Sequence, residues 1–113
     1  MRPIYKIVSV AEWRAAEASG QFEGSEVDLR DGYIHFSEAA QLRETARRHF
    51  AGRDDLLLVT IDADRLDPAP IWEPSRGGAL FPHLYGPLPV SAATGSRTLS
   101  VDAEASALKD FDQ

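Results

Sequence analysis

Six prolines lie between residues 68 and 89, and they constrain the fold of this chain more than any other feature of its sequence. Proline has no backbone N–H and a fixed φ, so it interrupts helices and is excluded from the middle of most sheets. Strands in this half of the chain are therefore expected to be short, interrupted or at sheet edges. The candidates are residues 71–73, 80–85, 90–93 and 97–101.

The strongest strand signal comes just before these prolines. Residues 56–61 form the run Leu-Leu-Leu-Val-Thr-Ile, with aspartates on both sides. A continuous apolar run of this length is typical of a central strand that is buried on both faces. Alternating apolar residues in the first ten positions, and the sequence Tyr-Ile-His-Phe at residues 33–36, predict two further strands.

Capping signals predict two helices in the N-terminal half of the chain. Ser9 and Glu12 have the spacing of a capping box, which predicts a helix over residues 10–19. Ser37 is positioned to cap a second helix that runs to about residue 50. The polar residues 21–32 between the two helices are expected to form a partly ordered connection that can lie over a site as a lid.

The order of these elements predicts the fold class. A strand, a helix, a loop, a strand and a helix are followed by several strands without helical spacers, which is an α+β pattern with a mostly antiparallel sheet. The 113 residues are expected to form one domain over residues 1–113. The acidic stretch at about residues 102–113 is expected to form a short terminal helix or to fray.

Charge and composition exclude several functional classes. The formal net charge is −6, which disfavours long-range attraction to nucleic acid or anionic lipid but allows a local basic pocket for a small anion. The chain has no cysteine, so thiol chemistry and Cys-based metal sites are excluded. Without a secretory signal or a long apolar stretch, the expected location is the cytoplasm. A membrane or nucleic-acid partner is therefore not expected.

His35 is the first candidate functional residue. Alternation along its strand places Ile34 and Phe36 on one face and Tyr33 and His35 on the other. If the first face is core, the second faces a cleft or solvent. His35 is then either a proton donor or acceptor at the rim of a pocket, or an ordinary surface histidine beside a helix cap, and the sequence leaves both interpretations open.

The second candidate is the segment from residue 73 to residue 87. Arg76 stands beside two glycines, a combination that suits close backbone approach to an anion but also a plain tight turn. If residues 81–85 are extended, His83 shares a face with Phe81 and Tyr85, and these rings can stack on a planar ligand. The alternative is an aromatic ladder on an edge strand. The histidines lack metal-ligand spacing, so no metal site is predicted.

Four motifs together resemble a known family. They are YKIVSVAEW near the start, DGYIHFS at residues 31–37, ETARRHF at residues 44–50, and WEPSRGGALFPHLYGPLP at residues 72–89. The combination resembles the bacterial domain-of-unknown-function family 952, over about residues 3–93. The family name itself supplies no reaction.

That family is similar, remotely, to the ADP-ribosyltransferase superfamily, whose members bind NAD in a cleft of a split antiparallel sheet. By strand order the resemblance places Lys6 at the first of three typical positions, His35 at the second, and His83 or Tyr85 near the third. None of them matches the usual His-Tyr-Glu set by residue type. The missing carboxylate matters because it stabilises a developing ribosyl cation, a role that Glu73 can take only by moving into the site.

The resemblance implies a cleft for NAD, ADP-ribose or a related phosphorylated nucleotide, with ADP-ribosyl or phosphate-directed transferase or hydrolase activity. Such a cleft requires His35 and His83 to lie within roughly 10 Å of each other. The alternatives are a non-catalytic module that binds a small molecule or peptide on the aromatic edge strand, and a purely structural role for the histidines. The candidate catalytic residues are His35, His83 and Glu73, and the candidate ligand-binding residues are Lys6, Ser37, Arg76 and Tyr85.

Overall fold

A computed structural model of the protein describes residues 1–102, without the side chain of Arg76. The predicted acidic tail therefore lies, from residue 103 onward, outside the described residues. Over residues 1–102, eight strands form three antiparallel sheets. The first sheet has the strand order β1 (Pro3–Ser9), β4 (Leu56–Asp62), β8 (Ala93–Leu99). The second sheet pairs β2 (Gln21–Phe22) with β7 (Leu88–Pro89). The third sheet has the strand order β3 (Ile34–His35), β6 (Leu80–Leu84), β5 (Ile71–Pro74).

The helices all lie in the N-terminal half of the described chain. They are α1 (Val10–Ser19), α2 (Glu26–Asp31) and α3 (Leu42–His49). The predicted α+β class and the antiparallel pairing are confirmed, whereas the predicted number of helices is wrong because α2 lies where a partly ordered connection was expected. None of the helices in residues 1–102 is long and apolar enough to cross a membrane.

The central strand β4 separates two parts of the core, as its continuous apolar run predicts. On one face, Val59 packs in the cluster that contains Trp13 of α1. On the other face, Leu58 packs with Leu42 and Ala46 of α3. Helices therefore cover both faces of the first sheet.

Ser37 joins two sheets instead of capping a helix, so the predicted cap is wrong. Its backbone N–H donates to the Tyr5 carbonyl and its carbonyl accepts from the Tyr5 N–H, both at 2.9 Å. This bridge keeps residue 37 extended, and α3 begins later, after a 3-10 turn at Ala39–Gln41. The Ser37 hydroxyl lies 3.0 Å from that of Thr45.

The proline-rich half differs from expectation at two points. The strand predicted over residues 90–93 is wrong except at its last residue, because Val90–Ala92 forms a 3-10 turn and β8 begins at Ala93. The strand β6 contains Pro82 yet lies in the middle of its sheet, between β3 and β5. Proline is tolerated there because β3 is two residues long and pairs with His83 and Leu84, while residue 82 contributes only its carbonyl, which accepts from the Phe36 N–H at 3.0 Å. The predicted aromatic edge strand is therefore wrong.

Candidate functional site

His35 lies on the face of β3 that points away from the core. Ile34 and Phe36 are buried in the core, whereas Tyr33 and His35 are half-buried on the opposite face. The rings of Tyr33 and His35 are in contact, with centroids 4.6 Å apart. The predicted alternation of this strand is confirmed, and it directs His35 away from the core.

A buried ion pair holds His35 in place. Lys6 and Asp28 have side chains only 7% and 1% exposed, and the Lys6 Nζ lies 2.9 Å from Asp28 Oδ2. The same Nζ donates to Asp28 Oδ1 at 3.1 Å and to the His35 carbonyl at 2.8 Å. Asp28 Oδ1 also accepts from the His35 N–H at 3.1 Å and contacts His35 Nδ1 at 2.6 Å. The pair therefore fixes both the backbone and the ring of His35.

These contacts keep Asp28 ionised. Burial by itself raises the pKa of Asp28, but the hydrogen bond with His35 and the charge of Lys6 outweigh burial, so this pKa lies well below its ordinary value. Lys6 directs its three donors to Asp28 and to the His35 carbonyl. Lys6 also lines the cleft, but these contacts direct its ammonium group into the network that supports His35, and its predicted role in ligand binding stays a prediction.

Asp28 is the residue that the sequence analysis missed. It lies on α2, within the segment that was expected to be a partly ordered connection. A signal was present: Ser25 and Asp28 have capping-box spacing, and the Asp28 side chain accepts from the Ser25 N–H at 2.9 Å. Gly32, with φ of 88°, ends this helix as a left-handed cap.

A second carboxylate holds His83. The ring of His83 is buried, and its Nδ1 lies 2.7 Å from Glu73 Oε1. The Tyr85 hydroxyl donates to the same oxygen at 2.8 Å. The hydrogen bonds with His83 and Tyr85 lower the pKa of Glu73, and the bond with Glu73 raises the pKa of Tyr85. Within residues 1–102, the buried Nε2 of His83 has no hydrogen-bond partner.

The structure brings the two candidate histidines together. The ring centroids of His35 and His83 are 5.4 Å apart and the rings meet edge to face, well inside the separation that a shared cleft requires. This proximity comes from the direct pairing of these two residues across β3 and β6. Tyr33 packs against both rings, with its centroid 4.2 Å from that of His83 and 5.2 Å from that of Tyr85.

Both histidines line a cleft of about 850 Å³. Asp31, at the end of α2, reaches His35 from the cleft side, with Oδ2 3.0 Å from His35 Nε2. Ser37 also lines the cleft, whereas Glu73, which contacts His83, and the half-exposed Tyr85, which contacts Glu73, are not among the lining residues. Arg76 is the first residue of the 3-10 turn Arg76–Gly78, in which Gly77 has a positive φ of 67°. The other charged and titratable lining residues are Tyr5, Lys6, Glu12, Glu26, Arg30, Arg48, His49 and Arg53.

Comparison with known proteins gives a family and a fold. The sequence profile of the family described as "Protein of unknown function (DUF952)" matches residues 7–96. The crystal structure of protein CC0527 from Caulobacter crescentus is similar, with 52% identity, coverage of 91% of this chain and 90% of that chain, and a TM-score of 0.86. The solution NMR structure of CC0527 shares 52% identity, covers 93% and 90% of the two chains, and gives a TM-score of 0.80.

These matches leave the activity open. No curated protein matches the chain. A crystal structure of a double mutant of CC0527 is also similar, with 50% identity, coverage of 91% and 90%, and a TM-score of 0.85. The family description states no reaction. The relationship to ADP-ribosyltransferases is therefore still a prediction.

Proposed function

We propose that this chain, which belongs to the DUF952 family of proteins of unknown function, binds NAD, ADP-ribose or a related phosphorylated nucleotide in the cleft beside His35 and His83. The observation that carries the proposal is the Nε2 of His83. This atom is buried, belongs to a residue that lines the cleft, and has no hydrogen-bond partner within residues 1–102. A buried polar atom without a partner is costly, and a ligand that contacts it removes that cost.

The charge of the cleft supports an anionic ligand. Arg30, Arg48 and Arg53 line it together with three carboxylates, those of Glu12, Glu26 and Asp31, so an anion would be bound by individual arginines and not by a uniformly basic surface. Arg30 pairs with Asp31 and Arg53 with Asp55. Arg48 pairs with Glu44 at 2.6 Å, but both side chains are more than 40% exposed, so this surface pair contributes little and Arg48 can turn to a phosphate.

Asp31 indicates where the anionic group of the ligand contacts the site. Its carboxylate lies on His35 Nε2, while Asp28 holds the other ring nitrogen. The Asp31 side chain is 30% exposed and Asp28 is 1% exposed, so Asp31 is the partner that a ligand can displace. We therefore place a phosphate of the ligand at His35 Nε2.

The size of the cleft suits a nucleotide. Its volume of about 850 Å³ lies in the upper part of the range of ordinary ligand pockets. Glu73 does not line it, so the carboxylate that an ADP-ribosyl transferase places beside its substrate has no counterpart at this position. This placement favours binding and hydrolysis over ADP-ribosyl transfer.

The test is calorimetric titration with ADP-ribose, NAD, AMP and nicotinamide, with amide NMR shifts recorded in parallel. We expect saturable binding of the three phosphorylated ligands and none of nicotinamide alone, because the cations of the cleft act on phosphate. Arg48→Gln is expected to weaken ADP-ribose about 10-fold, which is the usual size of one charge-assisted hydrogen bond.

Arg14→Gln is the matched control. Arg14 is an exposed arginine that pairs with Glu17 on its own helix, as Arg48 does with Glu44, but it lies outside the cleft. Its substitution is expected to leave the affinity unchanged. Absence of saturation at millimolar ADP-ribose, or binding that weakens equally in both arginine variants, would contradict the proposal.

A further inference from the structure

We infer that the bound nucleotide is a phosphodiester and that His83 and His35 hydrolyse its P–O bond as general base and general acid, an inference that rests on the function proposed above. The centroids of the two rings lie 5.4 Å apart, and both residues line the same cleft. Each ring is held by its own carboxylate, His35 by Asp28 and His83 by Glu73. The surroundings of the two rings differ, and that difference assigns the roles.

His83 has the hydrogen-bonding pattern of a base. Its Nδ1 faces Glu73 Oε1 at 2.7 Å, and an ionised carboxylate only accepts, so Nδ1 carries the proton. In the neutral ring, Nε2 then holds a lone pair, and within residues 1–102 that nitrogen has no partner. A carboxylate that fixes one nitrogen and leaves the other to accept a proton is the usual arrangement of a histidine base.

His35 has the pattern of an acid. Its Nδ1 lies 2.6 Å from Asp28 Oδ1 and its Nε2 lies 3.0 Å from Asp31 Oδ2. Because both acceptors are carboxylates, the two contacts are satisfied together only when both ring nitrogens carry protons. Displacement of the exposed Asp31 by the ligand leaves the Nε2–H of His35 facing a phosphate oxygen.

The chemistry of the leaving group identifies the substrate class. An acid and a base are both useful only when the nucleophile must lose a proton and the leaving group must gain one. Nicotinamide leaves NAD as a neutral ring, and a nucleoside phosphate leaves a diphosphate as a stable anion, so neither needs a strong acid. A ribose hydroxyl that leaves phosphorus does need a proton. The pair therefore fits a nucleotide phosphodiester, cyclic or linear.

The step balances with water as the second reactant. The Nε2 of His83 takes a proton from water while the water oxygen forms a bond to phosphorus. The bond from phosphorus to the ribose oxygen breaks, its electron pair stays on that oxygen, and His35 Nε2 supplies the proton. The products are a phosphomonoester and a free ribose hydroxyl. Exchange with solvent then returns His83 and His35 to their starting protonation states.

The experiment follows 2′,3′-cyclic AMP with the full chain in ¹⁸O-labelled water, by ³¹P NMR and mass spectrometry, with calorimetric binding measured on the same samples. The expected product is AMP with one ¹⁸O on phosphorus. His83→Asn keeps an N–H toward Glu73 but lacks Nε2, and His35→Gln lacks the acidic ring. Each is expected to lower turnover on the order of 10²-fold or more. Glu17→Gln, on exposed Glu17 outside the cleft, is the control and keeps the wild-type rate.

The outcomes separate this inference from the function on which it rests. Labelled AMP whose formation falls in both histidine variants supports the inference. Binding of 2′,3′-cyclic AMP without turnover overturns the inference but agrees with the proposed nucleotide binding. Turnover that neither substitution changes has the same meaning. Release of nicotinamide from NAD, followed in a parallel sample, overturns it in favour of glycosidic cleavage. Failure of every nucleotide to bind overturns the proposed function itself.

Discussion

Replacing Asp28 with Asn is expected to lower the free energy of unfolding by about 3–5 kcal/mol, because it leaves the Lys6 ammonium buried without a counter-charge. The Lys6 side chain is only 7% exposed, so solvent does not replace the lost carboxylate. The amide introduced at this position would also direct a donor toward the His35 or Ser25 N–H, both of which donate to Asp28. Chemical denaturation measures the loss, and the melting temperature is expected to fall by roughly 10–25 °C.

A double substitution checks that the ion pair causes this loss. Lys6→Met in the Asp28→Asn background removes the unpaired charge, so part of the lost stability is expected to return. Asp54→Asn is the matched control, because Asp54 is exposed and its substitution is expected to stay within about 0.5 kcal/mol of the wild type. If the losses in free energy of unfolding of Asp28→Asn and of Lys6→Met, measured separately, simply add in the double variant, that result would contradict a coupled buried pair.

Replacing Trp13 with Ala is expected to cost about 3–5 kcal/mol for a different reason, namely the cavity left by a large buried ring. Trp13 is 2% exposed and packs against Phe22 at a centroid distance of 6.0 Å, in the cluster that anchors α1 on the first sheet. Denaturant titration measures the loss. Trp13→Phe keeps most of the ring volume, and it is expected to retain more than half of the free energy that Trp13→Ala loses.

The Trp13→Ala and Asp28→Asn variants are expected to differ in their affinity for ADP-ribose. Trp13 does not line the cleft, so below its melting temperature the Trp13→Ala protein keeps the ADP-ribose affinity of the wild type. Asp28 positions the ring of His35, so the folded Asp28→Asn protein loses affinity. Equal affinities in these two variants, measured at a temperature where both are folded, would show that the carboxylate behind His35 serves stability alone.

Much of the fold follows from local patterns in the sequence. The apolar run at residues 56–61 predicts β4 because every position in it is buried or nearly so in a strand with neighbours on both sides. The Ser9 capping box predicts the start of α1, and its geometry is present, with Ser9 Oγ accepting from the Glu12 N–H at 3.0 Å. These signals succeed because they depend on residues close together in the chain.

What could not be predicted depends on distant contacts. Ser37 has the sequence context of a helix cap, but its pairing with the distant Tyr5 of β1 keeps it in an extended conformation. The proximity of His35 and His83 depends on the register of β3 against β6, which no local pattern specifies. Asp28 was overlooked because α2 is only six residues long, and its stability comes from the buried contacts of Asp28 more than from helix propensity.

The most direct test of the account is the NMR signal of the His83 ring nitrogens, recorded by long-range ¹H–¹⁵N correlation during titration with ADP-ribose. In the free protein, Nδ1 is expected to carry the proton toward Glu73 and Nε2 to be unprotonated, and the Nε2 signal is expected to shift with the same saturation curve as the calorimetric binding. A protonated Nε2 and bare Nδ1 in the free protein, or an Nε2 signal that stays constant while ADP-ribose saturates, would contradict it.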